Sequence, residues 1–91
     1  MEKSILLVDD EEGIRKVLGI ALSDMGYHVR AAENGFEALR IFEDERPPIV
    51  LTDIKMPEMD GIELLRRIKK VNPDTEVIMI TGHGDMDLAI K

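Results

Sequence analysis

Ninety-one residues, 44% of them hydrophobic, suffice for one small core and are too few for two, so residues 1–91 are read as a single domain. The absence of cysteine excludes disulfides and thiolate metal sites, and with no charged-then-apolar leader and no apolar run of about 18 residues, a cytoplasmic protein away from membranes is expected. Nineteen acidic against 12 basic residues leave a net charge of −7, which disfavours direct nucleic acid binding by this segment and attraction to an anionic bilayer.

The first apolar run, Ser4-Ile5-Leu6-Leu7-Val8, has strand length and leads straight into Asp9, Asp10, Glu11 and Glu12. Ile14, Val17, Leu18, Ala21, Leu22 and Met25 then recur at helical spacing, with Gly26 placed to end the helix. Residues 27–32 alternate weakly, as an outer strand would. Asn34 and Glu37 form a capping box for a second helix carrying Ala38, Leu39, Ile41 and Phe42, which Pro47-Pro48 stops. The run Ile49-Val50-Leu51-Thr52 is too short for a helix and too apolar for a half-exposed strand, so it reads as a strand buried on both faces, and it delivers Asp53 to its end. Asp60 and Glu63 repeat the cap before a third helix with Leu64, Leu65, Ile68 and Val71 on one stripe, ending at Asn72-Pro73. Glu76–Thr81 is the fourth strand, Gly82-His83-Gly84 a loop, and Asp85 is placed to cap a last helix through Met86, Leu88 and Ile90.

Strands alternating with helices imply right-handed crossovers and an α/β doubly wound parallel sheet of flavodoxin-like type, with helices on both faces. Order 2-1-3-4 makes the first and third strands neighbours, and their carboxyl ends would bring Asp9, Asp10 and Asp53 together at a switch point. Three close carboxylates repel, and either a raised pKa or a bound cation relieves them. Oxygen ligands few in number suit Mg²⁺ with several waters better than a Ca²⁺ cage, and a metal there would let a carboxylate attack phosphorus to form an acyl phosphate.

The chain resembles a two-component response-regulator receiver domain. The likeness rests on Val8-Asp9-Asp10-Glu11, on Asp53-Ile54-Lys55-Met56-Pro57 with Asp60-Gly61, and on Ile80-Thr81-Gly82-His83-Gly84-Asp85. It implies that Asp53 accepts a phosphoryl group from a histidine kinase and that Asp10 and Asp53 ligate Mg²⁺. It further implies that Asp9 acts mainly through water on the metal, that the Lys55 backbone carbonyl is a further ligand, and that Thr81 is the switch hydroxyl. An output domain, a DNA-binding one included, or a separate partner would receive the signal. The activity implied is not that of a classical enzyme, being at most self-phosphorylation from small donors and self-dephosphorylation. The last segment is similar in wording to receivers of nitrogen-regulation and nitrogen-fixation regulators.

Receivers of this kind continue with the rest of a fourth helix, a fifth strand ending in a lysine, a switch aromatic and a fifth helix. None is in this sequence, which is therefore read as a domain truncated before the fifth strand, with phosphorylation and switching impaired. A bare fourth-strand edge, Val77-Ile78-Met79-Ile80, would then favour self-association.

Each residue also has a plainer reading. Asp9 and Asp10 could be turn or cap residues, Thr81 a β-branched strand end, and His83, lacking a second histidine nearby, a solvated loop residue. Met25, Met79 and Met86 read as core filler, and Glu43-Asp44-Glu45-Arg46 as a solvated helix end. A Mg²⁺-dependent phosphohydrolase would need a second acid on the Asp53 loop and a substrate lid, for which there is no insertion. A non-phosphorylated interaction module would have dispensed with Asp9 and Asp10. Nucleotide binding lacks a Gly-rich loop after a strand.

Overall fold

Strand β1 (Lys3–Val8) is an interior strand of the sheet, hydrogen-bonded to β2 (Tyr27–Ala32) on one side and β3 (Ile49–Asp53) on the other, and β3 in turn to β4 (Glu76–Ile80). These contacts come from a computed structural model that describes residues 3–80 and the backbone of residues 88–90. All three pairings are parallel, giving the expected order 2-1-3-4. The register sets Val8 beside Thr52, so the residues that follow, Asp9 and Asp53, leave the sheet at the same rim.

Helices α1 (Glu12–Asp24), α2 (Gly35–Glu45) and α3 (Gly61–Val71) join the strands. Strand side chains alternate between faces. Leu6, Val8, Ala32, Val50 and Val77 pack with Ala38, Ile41 and Phe42 of α2 and Leu64 and Ile68 of α3 in one buried cluster. Phe42 is fully buried there, and truncating such a side chain to alanine costs about 3–5 kcal/mol. Two of the helices begin as their sequences dictate: the Asn34 side chain accepts the Glu37 N–H at 2.8 Å, and Asp60 accepts that of Glu63 at 2.8 Å. Helix α2 ends at Arg46 in the left-handed conformation, just before Pro47-Pro48.

Three expectations need correction. Helix α1 has the anticipated length of 13 residues but buries none of them fully, and Val17 and Met25 are 67% and 70% exposed, so Met25 is not core filler. Helix α1 packs on β1 and β2, whereas Ile49 and Leu51 of β3 and Ile78 and Ile80 of β4, on the sheet face away from α2 and α3, stay half-buried. Leu88–Ile90, expected as helix, forms β5, antiparallel to β4, with Ile90, Ala89 and Leu88 opposite Ile78, Met79 and Ile80. The β4 edge is therefore not bare along those residues. An edge strand offers a row of unpaired backbone groups, while one turn of helix is a costly nucleus, and pairing wins.

Candidate functional site

Two chain segments bring three acids together at the carboxyl rim of the sheet. Asp53 is the last residue of β3 and only 4% exposed, and Asp9, directly after β1, is 3% exposed; Asp10 beside it is exposed. One carboxylate oxygen from each of the three lies within 4.8 Å of the other two. Sequence reasoning expected this convergence, and the parallel β1–β3 register produces it.

The hydrogen bonding around the acids is uneven. Asp9 Oδ1 accepts the Glu11 N–H at 2.8 Å, and the Asp9 carbonyl accepts from Arg15 Nη1 at 2.7 Å, which fixes the β1–α1 turn. Burial pushes the Asp9 carboxyl above its ordinary range, and the Asp53, Asp10 and Glu11 charges push the same way against the opposing Glu11 N–H bond. Asp53 Oδ1, by contrast, is buried with no hydrogen-bond partner. Among the described residues the other such side-chain oxygen is Thr75 Oγ1, a neutral hydroxyl in the loop before β4 and so at the opposite end of that strand. A buried carboxylate oxygen is far costlier to leave unpaired than a hydroxyl, unless a cation sits against it. The donor set, oxygen only and anionic, fits a hard divalent ion.

Lys55 lies two residues beyond Asp53 in the β3–α3 loop with its side chain exposed. Thr81, His83 and the rest of the Gly82–Asp85 motif, with Met86, fall outside the described residues. Two nearby features escaped the sequence reading. Arg15 carries no signal of its own there, since its bond is to a backbone carbonyl. Gly61 was visible only as half of an Asp-Gly pair, yet it lies against the backbone of Asp53.

Comparison with known proteins agrees with this geometry. The family model described as the response regulator receiver domain matches residues 5–91. The chain is 44% identical over 88 residues to sporulation initiation phosphotransferase F of Bacillus subtilis, covering 97% of this chain and 71% of that protein. It is 42% identical to the DNA-binding transcriptional regulator NtrC of Escherichia coli, aligning along its whole length but spanning only 20% of NtrC. A similar fold is found in the crystal structure of histidine kinase ThkA in complex with response regulator protein TrrA. The match has a TM-score of 0.84 and 39% identity, and covers 93% of this chain and 72% of the matched one. Strand order, rim acids and sequence thus lead to one assignment: this chain belongs to the response regulator receiver domains, two-component signalling modules whose family function is to accept a phosphoryl group on an aspartate.

Proposed function

We propose that Asp53 is the phosphoacceptor and that Asp9, Asp10, Asp53 and the Lys55 backbone carbonyl hold a Mg²⁺ ion. The observation that carries this reading is the buried, unpartnered Asp53 Oδ1 within reach of two further carboxylates. When bound, the ion offsets the negative charge of the acids and of the incoming phosphoryl oxygens. The chain's own part is positioning. β3 presents the Asp53 carboxylate at the rim, the Glu11 N–H and Arg15 hold Asp9 beside it, and the sheet behind keeps water from its inner side.

A carboxylate oxygen of Asp53 attacks phosphorus, a new O–P bond forms, and the bond to the donor breaks with its electron pair leaving on the donor. The donor is acetyl phosphate, which releases acetate, or a kinase phosphohistidine, which releases imidazole after protonation. Thr81 is the hydroxyl that answers the new phosphoryl group, as the resemblance implies. The solved kinase complex of a related regulator supports a histidine kinase as donor, and NtrC supports an output domain as recipient of the signal. A cytoplasmic setting suits these partners, and no described helix is long and apolar enough to cross a membrane. Self-association belongs to the same proposal, through the half-buried apolar residues of β3 and β4 and the outer strand β5.

The test is intact mass after incubation with acetyl phosphate and Mg²⁺. A single added phosphoryl group is expected on the wild-type chain, on part of the molecules where labelling is impaired, and none on Asp53→Asn. An unlabelled wild-type chain, or equal labelling of both, overturns the reading.

A further inference from the structure

Gly61 opens α3 one residue after the Asp60 cap, and its backbone lies against the end of β3 more closely than any side chain would permit. A Cβ built there would stand 2.3 Å from the Asp53 carbonyl oxygen and 3.0 Å from the Ile54 Cα, where real Cβ atoms essentially never come within 3.0 Å. The contact is bonded as well as close, since the Gly61 N–H donates to the Ile54 carbonyl at 2.8 Å. Both atoms that a methyl would strike are backbone, so no rotamer change relieves the overlap.

We infer that Gly61 is a positioning residue for Asp53: the bare first turn of α3 is the surface against which the Asp53–Ile54 peptide is set, and that setting aims the Asp53 carboxylate at Asp9 and Asp10. The inference rests on the reading of Asp53 given above. The β3–α3 loop, seven residues between Asp53 and Gly61, returns to its starting point at this contact. Widening 2.3 Å to the 3.0 Å limit moves the Asp53 carbonyl or α3 by at least 0.7 Å. Functional groups tolerate roughly 0.5 Å, and a displacement of about 1 Å costs a reaction on the order of 100-fold. Among the described residues, Gly35 is the other glycine with no room for a Cβ, and the atoms nearest to that position are those of the Met59 side chain instead.

The experiment compares the 91-residue chain with Gly61→Ala and Asp60→Ala. The second variant removes the α3 cap, which accepts the Glu63 N–H, and so loosens the same helix end without a clash at Asp53. Folded fraction is read by circular dichroism, Mg²⁺ affinity from amide resonances in an NMR titration, and labelling by acetyl phosphate from intact mass, each per folded molecule. Gly61→Ala is expected to weaken Mg²⁺ binding about 10-fold or more and to slow labelling about 10- to 100-fold, with Asp60→Ala close to wild type in both. Equal affinity and rate for the two variants would overturn the inference, since a merely structural glycine lowers stability alone. Should Gly61→Ala not fold, the wild-type chain decides: Mg²⁺ must shift the Gly61 amide together with those of Asp53 and Ile54, and an unmoved Gly61 resonance overturns the inference. A wild-type chain that binds Mg²⁺ but takes no label sinks the phosphoacceptor reading instead, and the affinity comparison still decides the role of Gly61.

Discussion

At the scale of single residues, the acids of the rim are held together against their own repulsion, and Asp9 shows the cost. Its carboxyl is pushed above the ordinary carboxylate range, chiefly by burial and then by the neighbouring charges. The folded chain therefore keeps a proton that the unfolded chain has already released. Stability contributed by this group falls as pH climbs from the ordinary carboxylate range through the raised pKa of Asp9. Asp9→Asn keeps an oxygen for the Glu11 N–H while removing the charge, so in the presence of chelator it should raise stability at neutral pH. The gain should be about 1 kcal/mol, the scale of a water-screened contact between unit charges at 4 Å, and the acid-side slope should flatten. Urea unfolding of both chains across about pH 4 to 8 measures this, and an unchanged or lower neutral stability for Asp9→Asn would refute it. Asp9, Asp10 and Asp53 were legible because each ends an apolar strand. Arg15 and Gly61 were not, because a bond to a carbonyl and a close backbone approach leave no periodic mark.

Among elements, those with strong local signals formed where their residues place them. Asn34 and Asp60 cap α2 and α3 with side-chain bonds of 2.8 Å each, so Asn34→Ala should cost about 1 kcal/mol and move the urea midpoint without changing the slope. A loss below a few tenths would mean that the cap is redundant. Helix α1 is less simply read. Its stripe was plain in the sequence, but periodicity says which side of a helix is apolar and not how much there is to cover it, and Val17 and Met25 of that stripe remain mainly exposed. The expected terminal helix failed for a related reason. Leu88 and Ile90 fit either period over so short a stretch, and the neighbouring edge of β4 decided in favour of a strand.

For the whole molecule, the order 2-1-3-4 is what turns separate acids into one site, since it sets Val8 beside Thr52 and leaves Asp9, Asp10 and Asp53 at a common rim. A ligand held only by the folded chain stabilises it, by about 2.7 kcal/mol at 100 times its dissociation constant. Mg²⁺ should therefore raise the melting temperature of the wild-type chain at neutral pH, less so on acidification, and not that of Asp53→Asn. With a net charge of −7 opposing the apolar surface on β3 and β4, association should be weak and should strengthen with salt. Light scattering across a concentration series measures it, and a strict monomer at high concentration in high salt would contradict it. The most direct test of the central claim is to locate the acyl phosphate itself. After acetyl phosphate and Mg²⁺, borohydride reduces an aspartyl phosphate to homoserine, and peptide mass mapping then reads the position. Homoserine at residue 53, absent when a chelator replaces Mg²⁺, is the predicted result; homoserine at residue 9 or 10, or at none of the three, would contradict the account.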